Sequence, residues 1–105
     1  SADRVIADSA RASSVGKIVS EFVMNSKKYA FPSGRAGKVE IALRDSGETI
    51  DLVCRDDGVG AGEITPARRG LGMRLMQGYA AQLGGSAAFG DASPGFELRV
   101  SFPKR

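Results

Sequence analysis

A chain of 105 residues is long enough for one hydrophobic core and too short for two. Its 42% hydrophobic and 26% charged residues are ordinary for a globular domain, and no apolar run approaches the ~20 residues of a membrane span. The absence of histidine removes His-dependent nucleophile–base pairs and, with a single cysteine, argues against a zinc site; the net charge of +3 is mild, and its scattered basic residues lack the aromatic interleaving of a nucleic-acid platform.

In chain order, residues 1–11 carry one short apolar pair, Val5-Ile6, and read as a truncated strand or linker without a signal-peptide pattern. Asp8-Ser9 or Ser13-Ser14 can cap a helix from about Ala12 to Ala30, which Phe31-Pro32-Ser33-Gly34 then breaks. Val15, Ile18, Val19, Phe22 and Val23 form its apolar stripe. Beside that stripe, Glu21, Asn25 and Lys28 fall within about 60° of one another on a helix turning about 100° per residue. A carboxylate, an amide and an ammonium therefore share one row at the edge of the core, with Tyr29 near the boundary. Glu and Asn offer oxygens for Mg²⁺ or a water, and Lys a point charge for phosphate. The same row also fits a surface helix whose charges happen to align.

Lys38 to Arg44 alternates, with Val39, Ile41 and Leu43 on one face, and Thr49 to Arg55 returns after the turn Asp45-Ser46-Gly47-Glu48. Cys54 sits in the apolar run of the second strand, where a buried thiol is expected; an unpaired cysteine favours a reducing compartment. Asp56 follows on that strand and precedes Gly58 and Gly60. A carboxylate at a strand end, with glycines that let a ligand approach the backbone, suits hydrogen bonding to an exocyclic amine, and Asp-Gly equally suits a plain turn. Glu63 to Arg69 reads as a loop ending in the basic pair Arg68-Arg69. Gly70-Leu71-Gly72 then opens a second helix carrying Leu71, Leu75, Met76, Tyr79 and Leu83, and its unpaired amides make a natural phosphate site. Gly84-Gly85 stops this helix, and Gly78 inside it implies close backbone packing. Strands over Ser86–Phe89 and Phe96–Phe102 close the chain. The order is that of an α+β, two-layer α/β sandwich with helices on one face of a mixed, mostly antiparallel sheet.

Taken together, Glu21-x-x-x-Asn25-x-x-Lys28-Tyr29, Asp56-x-Gly58-x-Gly60 and Gly70-Leu71-Gly72-Met73 resemble the N box and the two glycine boxes of the GHKL nucleotide-binding superfamily. The closest likeness is to the catalytic, ATP-binding domain of bacterial sensor histidine kinases. Tyr29-Ala30-Phe31-Pro32, Gln82-Leu83-Gly84-Gly85 and Phe102-Pro103 resemble the HWE-type and related kinases. The likeness covers about Ser14 to Pro103.

The resemblance implies a Bergerat-type sandwich over residues 1–105, holding Mg·ATP. Asn25 would coordinate Mg²⁺, and Asp56 would accept from the adenine amino group, with Gly58 and Gly60 admitting the base. Lys28 would meet a phosphate, Tyr29 would line the adenine or ribose side, and Gly70, Leu71 and Gly72 would present amides to the phosphates. Arg68 or Arg69 would add phosphate contacts if the pair is not simply solvated. Glu21 is placed as a base or an acceptor-orienting group. The third box, usually Gly-Thr, reads Gly95-Phe96, and the segment from about Ala61 to Arg69 is a short lid. The γ-phosphoryl would pass to a histidine on a dimerisation domain outside this sequence and onward to a response regulator. The resemblance implies a cytoplasmic, monomeric domain with little activity alone and no membrane or nucleic-acid contact. An alternative is an anti-sigma-factor-like module that holds a protein partner or phosphorylates serine, which an apolar patch around Met24 would favour. The intact Glu21, Asn25 and Asp56 argue against a degenerate domain, and ATPases of the topoisomerase, mismatch-repair or chaperone type, similar only in the shared boxes, would carry a much longer lid and further domains.

Overall fold

A computed structural model of the chain describes residues 9–29, 37–58, 70–92 and 95–104. Helix α1 spans Ser9–Tyr29. It begins three residues before the expected start, so Ser13-Ser14 lie inside it rather than at its cap, and residues 9–11 are helical rather than linker. The reason is tertiary. The Arg11 guanidinium donates to the backbone carbonyls of Lys104 (2.8 Å) and Pro103 and lies over the Phe102 ring, pinning the first turn to the end of the chain. Val15, Ile18 and Phe22 are buried and Val19 and Val23 half-buried, as the helical period requires.

Strands β1 (Val39–Asp45) and β2 (Thr49–Asp56) form the expected hairpin, antiparallel from Val39 opposite Asp56 to Asp45 opposite Ile50. The Asp45 carboxylate accepts from the Gly47 N–H (3.0 Å), and the Ser46 hydroxyl donates to Asp51 (2.7 Å). Helix α2 spans Leu71–Gln82. It ends in a Schellman motif: Gly85 N–H bonds to Ala80 C=O (3.0 Å) and Gly84 N–H to Ala81 C=O (2.9 Å), with Gly84 at φ +79°. A Cβ on Gly85 would lie 2.0 Å from the Ser101 carbonyl oxygen, so the glycine pair both stops the helix and lets the next strand close in. Strands β3 (Ser86–Asp91) and β4 (Phe96–Pro103) follow, and the described sheet has the order β1-β2-β4-β3 with every pairing antiparallel.

Both helices lie on one face of this sheet and seal its centre. Ile50, Leu52 and Cys54 of β2 and Phe96, Leu98, Val100 and Phe102 of β4 pack against Ile18, Phe22, Met73, Met76 and Ala80. Burial pushes the Cys54 thiol up to about 12, which makes it an inert core residue. Strand β1 alternates as expected but is largely exposed. Ile41 and Leu43 pair with Cys54 and Leu52 and so share the helix-facing side, yet remain 40% and 37% exposed at the rim of the cover. Gly78 also departs from expectation: it is exposed, and a Cβ there would meet nothing within 4 Å. The opposite face of the sheet carries a charged row, Glu40, Arg55 and Glu97 across three strands, with Arg99 Nε 2.9 Å from Glu97. Arg99 first and Arg55 second hold the Glu97 carboxyl below the usual carboxylate range. Among the described residues, no helix is long and apolar enough to cross a membrane.

Candidate functional site

Asp56 ends β2 and is almost wholly buried, 1% exposed. Donors from separate elements converge on its carboxylate. The Gly58 N–H (3.0 Å) and the Phe96 N–H (3.1 Å) both donate to Oδ1, and the Ser26 hydroxyl on α1 donates to Oδ2 at 2.9 Å. A buried carboxylate without such donors would be costly, so these contacts are what let the sequence place a charge-bearing group here. The close approach of β4 depends on Gly95, which adopts φ +110°; a Cβ on it would fall 1.7 Å from the Asp56 carbonyl oxygen. The third glycine box is therefore structural at both positions. Gly95 admits the Asp56 backbone, and Phe96 lends its N–H while its ring packs between Phe22 (6.3 Å) and Phe89 (5.9 Å).

One residue before Ser26, Asn25 is buried, and among the described residues its Nδ2 is a buried polar atom without a hydrogen-bond partner. A buried polar atom left unpaired is destabilising, which sets Asn25 apart from the other buried polar groups of α1. One turn earlier, Glu21 is half-buried and faces the start of α2: its Oε2 lies 3.5 Å from where a Cβ on Gly72 would be. Gly70 precedes that helix in an extended conformation with no side-chain cap, and Leu71 is 71% exposed, on the solvent side rather than in the core. The amides of this first turn and the positive end of the helix dipole thus lie beside Glu21. Along α1, Glu21 lies beside Gly72 of the second motif and Ser26 holds Asp56 of the first, with Asn25 between them.

Lys28 is exposed in the last turn of α1, where a cation also complements the helix dipole. Tyr29 is the last helical residue. Gly60, Arg68, Arg69 and the expected lid lie outside the described residues. Among the described residues no cluster of three or more His, Cys, Asp or Glu side chains could hold a metal. A Mg²⁺ carried mainly by substrate phosphates and water would need only one or two protein oxygens, and Asn25 could supply one through Oδ1; the buried Nδ2 is a donor and not a metal ligand.

Residues 10–105 match the family model described as histidine kinase-, DNA gyrase B- and HSP90-like ATPase. The chain belongs to this ATPase family. Among the described residues, two helices on an antiparallel four-stranded sheet are consistent with the family's Bergerat fold. The histidine kinase domain of the Erythrobacter litoralis EL346 blue-light-activated histidine kinase superposes with TM-score 0.74 at 27% identity, over 90% of this chain and 45% of that one. A second structure of that kinase gives 0.73 at 30% identity, over 89% of this chain and 30% of that one. A mycobacterial sensor histidine kinase, MprB, shares the fold with TM-score 0.62 at 22% identity, over 87% of this chain and 70% of that one. The chain thus spans less than half the length of the blue-light kinase structures it resembles. A search of curated proteins gave no match.

Ser26 and Gly95 were not singled out as site residues by the sequence reading. Ser26 stands about 100° round the helix from Asn25, outside the polar row, and reads as a spacer. The signal was a serine where the apolar stripe should continue, which is a request for a buried polar partner.

Proposed function

We infer that this chain is the ATP-binding catalytic domain of a sensor histidine kinase. The observation that carries the reading is the pairing, on consecutive residues of α1, of an anchored buried carboxylate and an orphaned buried amide. Ser26 holds Asp56, and Asn25 beside it has an unpartnered amide nitrogen. Asp56 accepts from the exocyclic amine of adenine, and the turn at Gly58 and Gly60 admits the base. Asn25 turns its amide oxygen to Mg²⁺, which when bound neutralises phosphate charge. The uncapped amides of Gly70, Leu71 and Gly72 face the phosphates, with Lys28 and Arg69 as further phosphate contacts and Tyr29 beside the base or ribose. Glu21, at the phosphate end, orients the incoming acceptor or takes its proton.

The sequence contains no histidine, so the acceptor imidazole comes from another domain, from which a response regulator takes the phosphoryl group. Catalysis is then mainly positioning and charge neutralisation, and this domain alone, a cytoplasmic monomer, binds nucleotide but turns over very slowly. The anti-sigma-like alternative draws no support from α1. Met24 is 52% exposed, but Ser20, Lys27 and Lys28 around it are polar and exposed, and a single exposed methionine is not a docking patch.

The test is thermal unfolding with and without Mg·ATP for the wild type, Asn25→Ala and Asp56→Asn, each against its own ligand-free baseline. Ligand at a hundredfold over its dissociation constant adds about 2.7 kcal/mol. In a domain of this size that is a rise of roughly ten degrees. A rise in the wild type that both variants lose supports the site; no rise at millimolar nucleotide removes the kinase reading.

A further inference from the structure

We propose that Ser26 is a positioning residue that sets base selectivity, by locking the Asp56 carboxylate in the orientation that accepts a ligand N–H. The proposal rests on the reading of Asp56 as the base-binding carboxylate. A serine within a helix ordinarily returns its hydroxyl to the carbonyl one turn back or to solvent. Ser26 instead reaches across to a residue 30 positions away, is 1% exposed, and donates to Oδ2 at 2.9 Å.

The two oxygens of Asp56 are held in different ways. Oδ1 is fixed by backbone N–H groups of Gly58 and Phe96, which belong to the fold and survive any side-chain change. Oδ2 accepts from the Ser26 side chain. The carboxylate torsion is broad when left to itself, so two donors on one oxygen leave the plane of the group free to rock. Ser26 ties the second oxygen to α1 and removes that freedom. Phe96 cannot substitute, because its side chain is an aromatic ring stacked between Phe22 and Phe89.

Both oxygens are thereby committed as acceptors in a fixed direction. A purine with an amino group at position 6 donates to such an acceptor. A purine with a carbonyl at that position brings lone pair against lone pair and leaves buried polar groups unmatched, the kind of mismatch that discriminates ligands strongly. Without the Ser26 tether the carboxylate can turn aside, which costs the amino purine its bond and relieves the penalty on the oxo purine.

Dissociation constants for Mg·ATP and Mg·GTP, measured by calorimetric titration on the wild type, Ser26→Ala and Ser26→Thr, test this. The wild type should prefer ATP. Ser26→Ala should lose about tenfold in ATP affinity, as for one hydrogen bond to a charged group, while GTP affinity holds or rises, so the ratio collapses. Ser26→Thr, which keeps the hydroxyl, should restore the ratio. If Ser26→Ala does not melt cooperatively, Ser26→Cys, with a weaker donor, is read the same way. An unchanged ATP/GTP ratio in the hydroxyl-free or thiol variant, or an equal loss of both nucleotides, overturns the proposal while leaving the ATP site standing. A wild type that binds no ATP fails the functional reading itself, so the two failures are distinguishable.

Discussion

The two ends of the candidate site are built in opposite ways. At the Asp56 end, a buried carboxylate is met by donors from α1, from the turn after β2 and from the start of β4, and the backbones approach so closely that only glycine fits at 95. At the α2 end, the helix starts without a side-chain cap, Leu71 stands in solvent, and a side chain at Gly72 would make only an ordinary contact with Glu21. One end is complete before any ligand arrives; the other leaves its amides to be completed by one. Selectivity needs a fixed partner, which the first supplies. On the proposed reading, binding and releasing a triphosphate needs donors not already used in the fold, and among the described residues the uncapped start of α2 offers them.

Replacing Gly95 by alanine should break the closed end most severely. A positive φ and a collision with the Asp56 backbone together should cost about 4 kcal/mol of unfolding free energy, read by denaturant titration. Its counterpart Gly72→Ala should stay within about 0.5 kcal/mol of wild type. If the two glycines prove equally sensitive, the contrast fails.

Asp56→Asn and Asn25→Ala sharpen the comparison through the ligand-free protein. Asparagine at 56 turns an acceptor into a donor against fixed N–H groups or the Ser26 hydroxyl, and should cost about 1–3 kcal/mol before nucleotide is added. Asn25→Ala removes a buried amide nitrogen that has no partner, so ligand-free stability should hold or rise while the Mg·ATP-induced rise in melting temperature disappears. A residue that stabilises nothing in the free protein and is needed only with ligand is the mark of the open end.

Away from both ends, Gly78→Ala should raise stability by about 1 kcal/mol, since the site is helical, exposed and empty above the backbone. The smallest effect is acid sensitivity on the bare sheet face and the β1–β2 turn. The Lys104 ammonium and then the Gly47 N–H depress Asp45, hydroxyls of Ser46 and then Ser101 depress Asp51, and Arg99 and then Arg55 depress Glu97. Carboxylates lowered on folding stabilise the native state above their unfolded values of about 4 and lose that contribution as pH falls through the folded ones. These groups are largely exposed and screened, so melting temperature should decline gently below about pH 4 rather than collapse. A Glu97→Gln variant should show a slightly shallower decline.

Much of this molecule was legible as a string of residues. Helical spacing of Val15, Ile18 and Phe22, alternation along the hairpin, and glycine pairs at 84–85 each encode a local rule, and local rules are read within a few residues. The boxes at Glu21–Tyr29, Asp56–Gly60 and Gly70–Gly72 were legible for the same reason, because each is a short run of neighbouring residues. What the sequence could not decide were contacts between distant elements. Arg11 extends α1 by reaching the far end of the chain, Ile41 and Leu43 stay exposed because two helices cover only the middle of the sheet, and Gly78 has nothing above it. Ser26 and Gly95 acquire their meaning only where α1, β2 and β4 converge, 30 and 39 residues from the carboxylate they hold and accommodate. Hydrogen-bond direction and close backbone approach are properties of assembled surfaces, and assembly is what tertiary structure adds.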